Sequence, residues 1–177
     1  MTGLGGTHAE LDNEPSIGAA WLYLFCGKPY RTQETVRQAV NMLWRDAPYG
    51  IPGNDDLGEM SSWYVWSAMG MYPGIPGRAE LLLGSPLFPH IAIHRAGGPA
   101  IAIEAPRAAA DAPYVRGLRV DGHPATRAWL PESFVAHGGR LELDLASTPD
   151  LRWGSAAADA PPSFPPAAPS GVPPPAR

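Results

Sequence analysis

GIPGNDDLGEMSSWYVWSAMGMYP, residues Gly50 to Pro73, is the stretch on which the interpretation of the whole chain depends. It opens with proline and glycine, which favour a turn. Asn54, Asp55 and Asp56 then stand side by side, directly before an almost wholly apolar segment that predicts a buried helix from Glu59 to Met71. Polar acids on a loop that a buried helix anchors are typical of a catalytic or ligand-binding site.

The chain before this stretch is predicted to be helical. Asn13 is a candidate helix cap, and the apolar run from Ile17 to Phe25 predicts a short buried helix. Apolar residues recur with helical spacing between Thr32 and Arg45, which predicts an amphipathic helix. Three such helices leave apolar flanks uncovered, so this part is interpreted as a piece of a larger helical array. Cys26 is expected to be a small buried hydrophobe.

The chain after Pro73 is predicted to form short strands joined by turns. Asp121 and Gly122 carry the signal of a tight hairpin, and the strict alternation from Leu141 to Leu145 predicts a half-buried antiparallel strand. These features favour an antiparallel β-sandwich, so the fold class is α+β. The predicted strands are Glu80 to Leu83, Ile91 to His94, Ala100 to Glu104, Tyr114 to Val120, Ala125 to Leu130 and Arg140 to Leu145.

Composition divides the chain into three predicted regions. Residues 1–75 are assigned to the helical part, 76–155 to the sandwich, and 156–177 to a disordered tail that contains eight of the 22 prolines. The ordered protein is expected to end near Trp153 or Gly154.

Charge and hydropathy exclude several classes of partner. A net charge of -4 argues against a nucleic-acid surface, which needs a basic stripe. There is no apolar run of about 18 residues that predicts a membrane span, and no signal peptide is recognised.

The candidate site residues each have a structural reading beside the functional one. Asp55 and Asp56 either cap the following helix or bind a cation, orient a water or accept a proton, and the local pattern leaves both open. Glu14 either favours its helix N-terminus or contacts a ligand together with Asn13. Glu59 is interpreted as a partner of the helix dipole. The remaining candidates are aromatic residues that stack on sugars or pack in the core (Trp21, Trp63 and Trp66), and five histidines expected at the surface (His8, His90, His94, His123 and His137).

Several motifs together resemble glycoside hydrolase family 92, the calcium-dependent exo-acting α-mannosidases of α-1,2-mannosidase type. The run PGNDDLGEMSSWYVWSAMGMYPGIPG is similar to that family's signature, and DNEPSIGAAWLYLFCGKPYRTQETVR is similar to its NEP segment. GSPLFPHIAIH, YVRGLRVDGHP, TRAWL and GGRLELDL follow in the family's order. The resemblance covers about residues 11 to 154.

The resemblance implies the last helices of an (α/α) barrel joined to a β-sandwich. It also implies hydrolysis of terminal α-mannosides, such as those of N-glycans, with inversion. Asp56 would be the general base, Asp55 a second, structural acid, and Asn54 a supporting residue. Glu14 and Asn13 would contact the sugar, with Glu14 also a candidate ligand for calcium.

The resemblance also implies what this chain lacks. The family's general acid, a glutamate, lies upstream of the NEP segment and has no counterpart here. The chain is therefore expected to be the C-terminal part of a catalytic domain, with the missing N-terminal part as a partner and little activity alone. Family members are commonly secreted or located in the cell envelope. The alternative is a non-catalytic carbohydrate-binding or interaction module.

Overall fold

A computed structural model describes residues 11–163 of the chain. Its first part is helical. It contains α1 (Glu14–Ile17), a 3₁₀ helix (Ala19–Cys26), α2 (Pro29–Leu43) and α3 (Glu59–Ala68).

The predicted helix from Ile17 to Phe25 is a 3₁₀ helix instead, and it is not buried on all sides. A 3₁₀ helix has three residues per turn, so Trp21 and Leu24 lie on one face, where both are 1% exposed. Leu22 and Tyr23 lie off this face and are exposed. The prediction that Cys26 is buried is also wrong, since this thiol is exposed.

Helix α2 begins at Pro29 rather than at Thr32. Pro29 lies in the first turn of this helix, a position that suits proline because an N–H there has no intrahelical partner. The predicted inner face is confirmed, because Val36, Ala39 and Val40 are all buried.

Helix α3 begins at Glu59, as predicted, but it ends at Ala68 rather than Met71. Gly70 has a φ of 74° and ends the helix. A Cβ at Gly70 would lie 2.6 Å from the Pro86 nitrogen, so the close approach of this loop also requires glycine. The two residues that follow form a strand, β1 (Met71–Tyr72).

The strands form two sheets. The strands after β1 are β2 (Leu81–Leu83), β3 (His90–Arg95), β4 (Gly98–Glu104), β5 (Tyr114–Val120), β6 (His123–Ala125), β7 (Trp129–Leu130) and β8 (Gly139–Ala146). One sheet has the order β1-β2-β7 and the other has the order β3-β4-β8-β5-β6. A short helix, α4 (Glu132–His137), follows β7, and a second 3₁₀ helix (Ala157–Asp159) follows β8.

The mixed helix-and-sheet architecture matches the predicted α+β class, and the topology corrects two details. The predicted strand from Ala125 to Leu130 is two strands, β6 and β7, which belong to different sheets. Strand β8 is antiparallel to β5 but parallel to β4, so the purely antiparallel prediction is wrong. The predicted hairpin is confirmed, since Asp121 and Gly122 join β5 to β6 with φ values of 50° and 78°.

One hydrophobic core runs through the helical part and both sheets. It includes Trp21 and Trp63 from the helices, Leu83 from the small sheet, and Ile103 and Leu145 from the large one. The described chain continues beyond the expected end. Thr126 Oγ1 donates to Asp159 Oδ1 at 2.7 Å, so residues 157–159 are ordered against the fold. The part of the predicted tail from 164 to 177 lies outside the described residues.

Arg37 joins helix α2 to the sheet region. Arg37 is 4% exposed, and its guanidinium donates to the Ala109 carbonyl, to the Pro86 carbonyl at 3.0 Å and to Ser85 Oγ at 3.2 Å. Among the described residues no carboxylate pairs with it. Burial lowers the pKa of Arg37, yet its ordinary value is high enough that the group stays charged at neutral pH. The fold therefore keeps a buried cation that neutral oxygen atoms solvate.

We expect Arg37→Ala to lower the free energy of unfolding by about 2–4 kcal/mol, because it leaves a cavity and three unpaired acceptors. Arg37→Lys should recover only part of this loss, since an ammonium lacks the planar fork. Urea denaturation followed by circular dichroism measures both. The exposed neighbour Gln38 is the control, and Gln38→Ala should stay within about 0.5 kcal/mol. Equal effects at the two positions would contradict the proposed role of Arg37.

Candidate active site

The acid loop, residues 50–58, is the second part of the connection between α2, which ends at Leu43, and α3, which begins at Glu59. Gly50 donates from its nitrogen to the Ala47 carbonyl and accepts from the Arg45 nitrogen at 2.9 Å, which closes a tight turn. Gly53 has a φ of 67°, and a Cβ there would lie 2.0 Å from Asp12 Oδ2. The loop therefore packs directly against the segment that precedes α1, and glycine at position 53 makes this contact sterically possible.

Asp55 is committed to the local structure. Its side chain is half-buried, and Oδ1 accepts a hydrogen bond from the Ser61 nitrogen at 2.8 Å. Its carbonyl accepts from the Gly58 and Met60 nitrogens at 3.1 and 3.3 Å. The Met60 and Ser61 amides belong to the first turn of α3, and Gly58, at the capping position, has no side chain that could bind them. Asp55 thus caps α3 from three residues before the capping position.

The side chain of Asp56 differs from that of its neighbour, although the Asp56 carbonyl also accepts a hydrogen bond, from the Glu59 nitrogen at 3.3 Å. It is exposed, and no donor among the described residues reaches its carboxylate. Its φ of 44° and the φ of 60° at Leu57 place two consecutive non-glycine residues in the left-handed region. Such a conformation is costly for a leucine and is often found at functional sites. The loop therefore presents the Asp56 carboxylate to solvent at the expense of backbone strain.

The predicted sugar-contacting residues of the NEP segment lie at the start of α1. Asn13 occupies the capping position, but its side chain makes no capping bond, and its carbonyl accepts from Ser16. Glu14 is the first helical residue, and both side chains are exposed. Asn54, in the acid loop, is exposed as well. The structure thus leaves all three side chains accessible to a ligand.

Trp63 fixes the position of α1 relative to α3. Its indole nitrogen donates to the Ile17 carbonyl at 2.9 Å, and its ring stacks on Trp44 at 5.1 Å. Trp21 stacks in turn on Tyr72, also at 5.1 Å. Because Trp21 and Trp63 are each 1% exposed, they pack in the core, which is one of the two roles that the sequence leaves open for them.

Glu59 lies in the electrostatic field of two of these acids. Burial and the charges of Glu14 and Asp56 raise its pKa above the ordinary value. Burial, together with the charge of Glu59, raises the pKa of Tyr72 to about 12. The sequence pattern predicts only a helix-dipole role for Glu59 and no role for Asp12. The position of Glu59, one turn after Asp56, is a local signal that the two acids interact, whereas no local pattern indicates the contact between Asp12 and Gly53.

The described residues do not form a metal centre by themselves. Within residues 11–163, no group of three or more histidine, cysteine, aspartate or glutamate side chains is arranged to hold an ion. Glu14 could contribute one oxygen ligand, but calcium takes six to eight. The four histidines in this range, His90, His94, His123 and His137, are exposed, as predicted, and His8 lies outside it.

The two adjacent aspartates should respond differently to the loss of charge. Asp55→Asn weakens a charge-assisted cap, so we expect a loss of about 1 kcal/mol in the free energy of unfolding. Asp56→Asn should be neutral within about 0.5 kcal/mol, because asparagine tolerates a positive φ and the carboxylate has no partner to lose. Urea denaturation of the two variants under identical conditions makes the comparison. A larger loss at Asp56 than at Asp55 would refute this division of roles.

Glu59 should make stability fall as the pH rises. The pKa of Glu59 is higher in the folded than in the unfolded chain. Its contribution to the free energy of unfolding is therefore fully present below the unfolded value near 4.5 and is lost as the pH rises through the raised folded value. The glutamine of Glu59→Gln cannot ionise, so the difference between the Tm of the variant and that of the parent should increase as the pH rises from about 4 to about 7. Thermal unfolding at several pH values tests this. Glu132→Gln, at an exposed glutamate of α4, is the control, and an identical pH profile for Glu59→Gln and the parent would contradict the prediction.

Comparison with known proteins places this geometry in a family. The model of the glycosyl hydrolase family 92 catalytic domain matches residues 1–147. An uncharacterized secreted glycosidase of Arthroderma benhamiae is 31% identical over 157 residues, which is 87% of this chain and 20% of that protein.

Solved structures agree with this match. The inverting family 92 mannosidase BT2199 of Bacteroides thetaiotaomicron superposes with a TM-score of 0.79 at 38% identity, over 84% of this chain. The α-mannosidase BT3965 of the same organism gives 0.82 at 28% identity, over 86% of this chain. In each case the match covers 20% of the longer protein, so this chain spans about a fifth of the length of these relatives. Because the family model covers most of the chain and the fold agrees with its solved members, the chain belongs to glycosyl hydrolase family 92.

Proposed function

We propose that this chain is the C-terminal part of a calcium-dependent exo-α-mannosidase that hydrolyses terminal α-mannosides with inversion, and that Asp56 is its general base. Its relatives include a protein described as an inverting mannosidase and another described as an α-mannosidase. The (α/α) barrel to which the helices would belong is part of the same proposal.

The free carboxylate of Asp56 carries the proposal. A general base in an inverting glycosidase must contact a water molecule on the face of the sugar opposite the leaving group. A carboxylate already used in capping cannot do this without loosening its helix. Asp55 holds the Ser61 amide, whereas Asp56 is exposed and carries no such bond. Asp55 would therefore act as a positioning residue that fixes the loop on which Asp56 stands.

The NEP segment would bind the sugar. Glu14 is close enough to Glu59 to affect its pKa, as Asp56 is, so the three carboxyl groups share one region of the surface. Glu14, Asn13 and Asn54 offer exposed oxygen or amide groups that suit the hydroxyls of a mannose ring. Glu59 would keep this region negatively charged above its raised pKa.

The calcium requirement stays a prediction. A bound calcium would supply a hard cation for sugar hydroxyls. Among the described residues, Glu14 has too few neighbouring side chains that could act as further ligands. The other oxygen ligands of the ion would have to come from the rest of a catalytic domain. No step at Asp56 is assigned to the ion.

A carbohydrate-binding module is the weaker reading. Such a module usually presents an aromatic ring to the sugar, and two of the three tryptophans that are candidates for that role, Trp21 and Trp63, are instead buried and stacked on other rings. Trp66 is half-buried.

Export from the cell is also a proposal for this chain. The Arthroderma relative is described as secreted. In the described part of the chain no helix has the length and apolar character needed to cross a bilayer.

We expect the purified chain alone to release no mannose from an α-1,2-linked mannobiose, because general acid help is typically worth about 10²–10⁴-fold and its donor would lie elsewhere. A chimera in which residues 1–177 replace the matching fifth of the BT2199 mannosidase should cleave the α-mannoside that its parent cleaves. In the chimera, Asp56→Asn should lower kcat by at least about 10²-fold without a matching rise in KM.

The matched control is Asp144→Asn, at an exposed aspartate on β8, which should leave kcat unchanged. Release of mannose by the isolated chain that Asp56→Ala abolishes would overturn the expected inactivity. Full activity of the Asp56→Asn chimera would overturn the assignment of the base.

A further inference from the structure

The segment after β8 runs back over the helical part of the molecule. It lies beyond residue 147, where the match to the family model ends, and it is described as far as Ser163. Trp153 is 7% exposed and belongs to the hydrophobic core. Asp150 Oδ1 accepts from the Arg152 nitrogen at 2.9 Å, which holds the turn that leads into Trp153. The segment is therefore anchored in the fold at its start.

Two glycines mark where this segment passes the helical part. Gly154 has a φ of 66°, and a Cβ there would lie 3.2 Å from Pro29 Cγ at the start of α2. A Cβ on Gly27, which follows the first 3₁₀ helix, would lie 2.9 Å from the Ser155 carbonyl oxygen. The two backbones therefore approach each other so closely that a side chain at either glycine would be crowded.

Pro161 is a second anchor. The chain reaches it in the polyproline II conformation, since Ala160 has a φ of −64° and a ψ of 145°. Pro161 is buried and Pro162 is half-buried. Both line a small cavity together with Phe25 of the first 3₁₀ helix and Leu82 of β2. The proline pair thus lies where the helical part meets the small sheet.

The lining of this cavity suits a pair of prolines. Sites that recognise polyproline II segments place an aromatic ring and apolar side chains against the proline rings. Phe25, Ile75 and Leu82 supply these groups, and we call the three residues the proline groove. Proline carries no N–H, so burial of the pair leaves no backbone donor unpaired, and its fixed φ lowers the entropy cost of binding.

We infer that residues 153–162 form a C-terminal latch, in which Pro161 and Pro162 bind as a polyproline ligand in the proline groove and hold the first 3₁₀ helix against the small sheet. Only Gly18 separates this helix from α1, so the latch also restricts the movement of the segment that carries Glu14. The inference is independent of the role proposed for Asp56, because none of these contacts involves the acid loop.

A simpler arrangement would anchor the segment by Trp153 alone and leave the following residues loosely on the surface. Two contacts beyond Trp153 argue against it. Thr126 Oγ1 donates to Asp159 Oδ1 at 2.7 Å, and Pro161 is buried. The two arrangements differ in what Pro161 contributes, which a point substitution measures.

The first test compares two proline variants of the full chain. Pro161→Ala removes a buried ring, whereas Pro106→Ala changes an exposed proline after β4. Both substitutions add the same conformational freedom to the unfolded chain, so their difference reports the groove. Pro161→Ala should lower Tm by about 2–4 °C more than Pro106→Ala. Equal shifts would show that Trp153 is the only anchor and would overturn the inference.

Hydrogen exchange then locates the effect within the fold. The amides of Gly27 and Lys28 donate to carbonyl groups of the first 3₁₀ helix, so their protection reports how firmly its end is held. In Pro161→Ala both should exchange about tenfold faster than in the parent. The Asp121 amide, which is hydrogen-bonded to the large sheet, is the control and should change less than about twofold. A uniform change at all three amides would contradict a local latch.

A peptide added in trans tests the groove itself. A chain that ends at Ser155 keeps Trp153 but lacks the proline pair. A peptide of residues 156–164, at a concentration on the order of a few millimolar, should restore slow exchange at Gly27. The same peptide carrying Pro161→Ala and Pro162→Ala should not. Restoration by both peptides or by neither would refute the groove as a proline site.

If the shortened chain does not fold, the comparison of Pro161→Ala with Pro106→Ala in the full chain decides by itself. A chain that ends at Ser163 completes the set and should keep the Tm of the full chain. A lower Tm for that chain would show that residues after Ser163 hold the segment in place and would overturn the assignment of the anchor to the proline pair.

Discussion

The hydrogen bond from Trp63 to the Ile17 carbonyl is the interaction on which the candidate site depends. It joins α3 to the end of α1, and the stack of Trp63 on Trp44 joins α3 to the end of α2. The acid loop lies between those two helices, and Asn13 and Glu14 stand at the start of α1. One buried indole therefore fixes both parts of the proposed site. Because its N–H is desolvated, loss of the carbonyl partner would leave an unpaired donor in the core, which costs about 1–3 kcal/mol.

This arrangement separates rigidity from accessibility. The core tryptophans and the capping bond from Asp55 make the base of the loop rigid, and Asp56 and Leu57 extend from that base with a positive φ. A catalytic carboxylate needs a fixed position and a free oxygen atom at once. Two adjacent aspartates meet these needs separately, since successive side chains point in different directions. The sequence pattern suits this solution, but it does not reveal which of the two residues caps the helix.

Local features of the fold were predictable, and long-range ones were not. The start of α3, the inner face of α2 and the hairpin at Asp121 follow from spacing and turn chemistry over a few residues. The parallel pairing of β4 with β8 joins residues almost 40 positions apart, and no local signal specifies it. The prediction of one strand in place of β6 and β7 fails for a related reason, because a continuous pattern does not show that its two ends pair with different sheets. The exposure of Cys26 follows from the 3₁₀ geometry, which hydrophobicity alone does not distinguish from an α-helix.

Three acids of the proposed site interact electrostatically. Glu14, Asp56 and Glu59 form no ion pair among the described residues, and burial, together with the charges of Glu14 and Asp56, raises the pKa of Glu59. In water this repulsion is small, because the high dielectric constant screens it. Covering the surface would strengthen it severalfold unless the covering structure brought a cation, since the effective dielectric constant falls on burial. Any structure that covers these acids must therefore neutralise them, as a hard cation such as calcium or a basic side chain would.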